Sequence, residues 1–89
     1  MKAIITVIGS DRVGIIYNVS KILNDYQANI LDISQTIMHD YFTMMMLVDL
    51  DKMNGEFNQL KLTLEELESS IGVSVKIQRE EIFKTMHNI

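Results

Sequence analysis

The segment Gly9-Ser10-Asp11-Arg12-Val13-Gly14-Ile15-Ile16 holds the residues of this chain best suited to binding a small anion. Two glycines bracket a short polar turn that joins the apolar run Ala3 to Ile8 to an amphipathic segment. A turn that opens a helix aims unpaired backbone N–H groups at one point, and the helix dipole adds partial positive charge there. The carboxylate of an amino acid is the kind of ligand such a point stabilises. Gly14 has no side chain to obstruct a ligand or a second subunit. Asp11 has two roles open to it: accepting hydrogen bonds from a ligand's ammonium group, or capping the helix. Asn29 also has two, as a ligand contact or as a tight-turn residue in the left-handed conformation.

Other chemistry finds less support. Met44, Met45 and Met46 carry thioethers, but consecutive strand residues point to opposite faces and cannot converge on one metal ion. Packing in a core or interface is the better use of them. His39 and His87 lie far apart without metal-ligand spacing. No nucleophile elbow or Walker motif is present, and the Gly9/Gly14 pair does not fit a dinucleotide fingerprint. Neither a nucleophile nor a base held beside one is indicated, so the reading is of a non-enzyme without metal or cofactor.

The elements that must position these residues fit into one domain of 89 residues. Hydrophobic residues make up 47%, enough for a core, and a chain this short and apolar is expected to cover part of its sheet with a partner. There is no cysteine, hence no disulfide framework. Lys2 opens directly into a strand without a basic leader, and no apolar run approaches the roughly 20 residues that span a bilayer. A soluble cytoplasmic protein with no membrane partner is expected. The net charge is −4 and the basic residues are scattered, which argues against nucleic acid as a partner.

Lys2 to Ile8 reads as a central strand, β-branched and apolar on both faces. Ile15, Ile16, Val19, Ile22, Leu23 and Tyr26 draw one helical stripe, with the helix beginning beside Gly14. From Asn29 to His39 the chain alternates: Leu31, Ile33 and Ile37 on one face, Asp32, Ser34 and Thr36 on the other, with Gln35 the exception among the apolar positions. Asp40-Tyr41 is the expected hairpin turn, and Phe42 to Leu50 a long apolar third strand. Phe57, Leu60, Leu64, Leu67 and Ile71 form a second helix stopped by Gly72, and Val73, Val75 and Ile77 alternate in a fourth strand. This order predicts an α+β, ferredoxin-like βαββαβ sandwich: a four-stranded antiparallel sheet with two helices on one face. Strands one and three are central, two and four edges. Ile82, Phe83, Met86 and Ile89 add a short amphipathic C-terminal helix, too short to persist alone, that must dock on an apolar surface.

An Asp-Arg-x-Gly-Ile turn after strand one, followed by Asn29-Ile30-Leu31-Asp32-Ile33-Ser34-Gln35, resembles an ACT domain over residues 1–79, with residues 80–89 as a C-terminal extension. Asp32-Ile33-Ser34-Gln35-Thr36, Tyr41-Phe42-Thr43-Met44 and the ending Glu81 to Ile89 are similar to small stand-alone ACT-domain proteins of prokaryotes. The resemblance implies a regulatory module that binds an amino acid where two copies meet. It implies a ligand site made of Asp11, Arg12, Val13, Gly14 and Ile15 together with Asn29 and Ile30. Val13 stands where many members carry proline, and Gly9 where serine-sensing members carry histidine, which argues against serine as the ligand. The expectation is a homodimer binding an amino acid or similar small carboxylate. The rival expectation is a protein–protein interaction subunit with no small-molecule ligand.

Overall fold

The computed structural model describes residues 1–87, and the side chains of Phe83, Thr85, Met86 and His87 are outside what it describes. Of the four apolar residues expected on the C-terminal helix, only the placement of Ile82 is therefore on view; Phe83, Met86 and Ile89 lie outside the described residues. The elements run β1 (Lys2–Gly9), α1 (Arg12–Asp25), β2 (Asn29–Met38), β3 (Tyr41–Asp49), α2 (Phe57–Ser70), β4 (Ser74–Arg79) and α3 (Glu80–His87). The strands form one antiparallel sheet in the order β2-β3-β1-β4. The two strands that are apolar on both faces are the central ones, as expected of strands with neighbours on either side.

One face of the sheet carries the core. Ala3, Ile5 and Val7 of β1, Phe42, Met44, Met46 and Val48 of β3, and Val75 and Ile77 of β4 are all buried. Ile15, Val19 and Leu23 of α1 and Leu60, Leu64 and Leu67 of α2 close over them. The Tyr26 hydroxyl and Thr63 Oγ1 share a 2.7 Å hydrogen bond that ties the end of α1 to α2. Past α2, Gly72 takes φ +68°, the left-handed conformation for which a glycine after a helix is suited. Gly9 is a glycine for a different reason. A Cβ there would stand 2.7 Å from Val73 Cγ1 and 2.8 Å from Ile15 Cδ1, inside the core.

Four local expectations are corrected. Helix α1 begins at Arg12, so Gly14 is the third residue inside it rather than its neighbour. The β2–β3 hairpin turns on His39-Asp40 rather than Asp40-Tyr41; Met38 pairs with Tyr41, and His39 takes φ +54° to close the turn. The left-handed residue after α1 is Gln27, at φ +56°, while Asn29 is already in β2 and paired with Asp49. The alternation of β2 is also interrupted. A bulge between Ile30 and Asp32 leaves Leu31 without a register partner, so Ile30 and Ile33 both sit opposite core residues of β3, Val48 and Met46. Beyond the bulge Ile33, Gln35 and Ile37 share the helix side, and Asp32, Ser34 and Thr36 share the open side, as the sequence pattern requires.

Candidate functional site

Asp11 is the cap of α1. Its carboxylate accepts a 3.1 Å hydrogen bond from the Gly14 N–H, and its carbonyl accepts one of 2.9 Å from Ile15 N–H. The residue type dictates this: a short acceptor at this position satisfies a helix N–H that has no partner within the helix. Gly14 makes the cap possible. A Cβ at Gly14 would stand 2.5 Å from Asp11 Oδ2, so the missing side chain leaves room for the chain's own carboxylate. Part of the positive end of α1 is thus already answered from within the chain.

Arg12 and Val13 follow on the exposed side of the first helical turn. The Arg12 guanidinium sits 5.9 Å from the centre of the Phe42 ring, and its Nη2 donates to Gln35 Oε1 at 3.5 Å. Gln35, the residue that broke the apolar side of β2, therefore faces the first turn across the helix side of the sheet. Arg12, Val13, Ile16 and Tyr17 line a shallow groove of about 490 Å³. Val13 is 78% exposed and Tyr17 63%, large apolar surfaces on the same flank as Ile33 and Ile37. Ile15 differs: it is fully buried and belongs to the core.

Asn29 and Ile30 lie elsewhere. Asn29 pairs with Asp49, which pairs with Lys2, whereas the first turn follows Gly9, which pairs with Phe42. The seven intervening register steps of β1 separate the two groups by roughly 23 Å at the usual rise per strand residue. Asn29 instead lines a second depression, of about 470 Å³, with Gln27, Asp49, Asp51 and Lys52. The Asp51 carboxyl accepts from the N-terminal ammonium, which holds its pKa below the ordinary carboxylate range. Five of the residues singled out from the sequence thus stand together at one end of the sheet and two at the other. The groove residues Ile16 and Tyr17, and Gln35 beneath Arg12, were not among them. Gln35 left a signal, a polar residue in an apolar row; Tyr17 left none, because an exposed aromatic on a helix reads like any surface residue. No group of three or more His, Cys, Asp or Glu among the described residues can hold a metal ion. No helix among them is long and apolar enough to cross a membrane.

The family model for the ACT domain matches residues 2–78, from the first strand to the last strand of the sheet. The chain belongs to the ACT domain family. It is 56% identical to a UPF0237 protein of Clostridium acetobutylicum over the full length of both. It is 52% identical to a UPF0237 protein of Methanococcus maripaludis, over 97% of this chain and 96% of that one. Among solved structures, an ACT domain protein from Streptococcus pneumoniae superposes with a TM-score of 0.79 at 42% identity, covering 94% of each chain. ACT domains are typically regulatory modules that bind small molecules, and the family names point to regulation rather than catalysis.

Proposed function

We propose that this ACT domain binds an amino acid, or a similar small carboxylate, between two copies of the chain, and that occupancy biases a regulated protein through the state of that dimer. The observation that carries the reading is the separation of Asp11–Gly14 from Asn29–Ile30 along a ten-residue edge strand, β2. A two-fold axis through the middle of β2, pairing it antiparallel with β2 of a second copy, reverses its ends. Centred on Ser34, with the bulged Leu31 passed over, such pairing lays Asn29 of the second copy beside Met38, at the end of the sheet where the first turn stands. Asp32 then lies opposite Thr36, so no like charges meet.

The strand itself supports this use. It carries one charged residue and neither lysine nor proline, the usual guards of a free edge. Leu31, Ile33, Ile37 and Met38 are all exposed in the single chain. At the composite site Arg12 supplies a cation for the ligand's carboxylate, and Asn29 with Asp49 supplies acceptors for its ammonium group. A ligand that binds one dimer state more tightly shifts the population toward it, and whatever reads that state responds.

A panel of amino acids in a thermal-shift experiment, followed by calorimetry, tests the reading. Saturation at about 100 times the dissociation constant adds about 2.7 kcal/mol, several degrees in a domain of this size. Asn29→Ala is expected to weaken binding by about ten- to a hundredfold through loss of a hydrogen bond to a charged group. Gly14→Val, which drives the Asp11 carboxylate out of its cap, is expected to weaken it as well. Unchanged affinity in both variants would put the ligand elsewhere. No response to any amino acid would favour an interaction subunit that works without a small molecule.

A further inference from the structure

The face of the sheet away from α1 and α2 is built as a self-complementary surface. Its rows run across all four strands: Asp32, Leu47, Ile4 and Gln78 in one, Ser34, Met45, Thr6 and Lys76 in the next, Thr36, Thr43, Ile8 and Ser74 in the third. The centre is apolar, with Ile4, Met45 and Leu47 half-buried and Ile8 44% exposed. Ile4, Asp32, Ser34, Met45 and Leu47 line a depression of about 250 Å³ there. Within these three rows the charges sit only at the two edges, an acid on β2 and a base on β4. Ile82 of α3 lines a groove with Phe57, Lys61, Ile77 and Gln78 at the β4 edge.

We infer that this open face packs against the open face of a second copy, about a two-fold axis parallel to the strands and passing between β1 and β3. That rotation lays β3 of one copy over β1 of the other, and β2 over β4. Asp32 then lies over Gln78 of the second copy, two residues along β4 from its Lys76, and the symmetry repeats the contact. The other in-plane orientation, with the axis across the strands, sets β2 on β2 and brings the two Asp32 carboxylates to the same edge, where like charges repel. Charge therefore selects one packing of an apolar centre that either orientation would bury. Aligned sheets about 10 Å apart are an established way of packing two such faces. Met45, unbranched and adaptable, sits where the centres meet and suits an interface that must fit itself. This packing uses a different surface from the β2 edge.

Sedimentation of the full chain between about 1 and 100 μM tests the inference. Met45→Glu is expected to raise the dissociation constant at least tenfold, because it would bury an unpaired carboxylate in the apolar centre. Asp32→Lys and Lys76→Glu are exposed-edge changes that leave the core untouched, and each is expected to weaken association about tenfold. The double variant D32K/K76E restores opposite charges across the axis and is expected to recover most of the loss. The inference falls if the wild type sediments at 10.3 kDa throughout, if Met45→Glu leaves the mass unchanged, or if the double variant associates no better than the single ones. Amino-acid affinity measured on Lys76→Glu, which lies on β4 away from the β2 edge, keeps the two readings apart: binding that survives loss of the face contact supports the composite site while this packing stands or falls on mass alone.

Discussion

Met44 and Met45 are neighbours in sequence with the same side chain, yet one is 2% exposed and the other stands half-buried on the open face. The same contrast divides the whole sheet. On the helix side Ile5, Val7, Met44, Met46 and Val75 are enclosed by α1 and α2. On the open side Ile4, Met45 and Leu47 are only partly covered, and Ile8 less so. Apolar content alone does not reveal this difference, since β1 and β3 are apolar on both faces. What differs is whether a layer packs on top, and the uncovered layer is where this small domain has surface left for a partner.

The largest test of that contrast truncates its enclosed side. Met46→Ala is expected to destabilise the fold by about 2–5 kcal/mol, because a fully buried side chain leaves a cavity that the sheet and helices cannot close. Chemical denaturation should show the midpoint falling with an unchanged slope. Gly9→Val comes next, at about 1–3 kcal/mol, as an overpacking change against Val73 and Ile15. A Gly9→Val variant as stable as the parent would show that β1 can shift at that end.

Asp11→Ala is expected to cost about 1 kcal/mol, the ordinary value of a lost helix cap. Gly14→Ala should fall below that. It displaces the Asp11 carboxylate, but alanine is favoured over glycine inside a helix by up to about 1 kcal/mol, which offsets the lost cap. Equal losses in both variants would mean that the cap contributes more than its hydrogen bond to Gly14. Smallest of all is Met45→Ala measured in dilute, dissociated protein, where a change within about 0.5 kcal/mol is expected. The same substitution should matter at high concentration, and a large effect in the dilute protein would place Met45 in the core of the single chain.

Much of this architecture was legible in the residues. The stripe from Ile15 to Tyr26, the stripe from Phe57 to Ile71 and the stop at Gly72 each follow from helical period and capping chemistry, and each appears in the structure. The first turn was legible as a helix start with glycines, but two roles stood open for Asp11. Its cap could be read only once the Gly14 N–H and the carboxylate were seen 3.1 Å apart. The hairpin at His39-Asp40 escaped because neither residue carries the Asn-Gly signature of such turns. The left-handed residue at Gln27 escaped for the same reason, being a type that seldom takes that conformation.

What the sequence determined by itself is the set of elements and the face each one hides, because period and polarity are local properties of the chain. It determined the family as well, through the turn after β1 and the opening of β2. The distance between the candidate residues was decided only by the tertiary structure. Asp11 and Asn29 are eighteen positions apart in sequence. They stand at opposite ends of the sheet because α1 carries the chain back to where β1 began. So too with the bulge at Leu31 and the contact of Arg12 with Gln35. Both depend on the register of β2 against β3, and register is fixed by the packing of a whole face rather than by any residue within it.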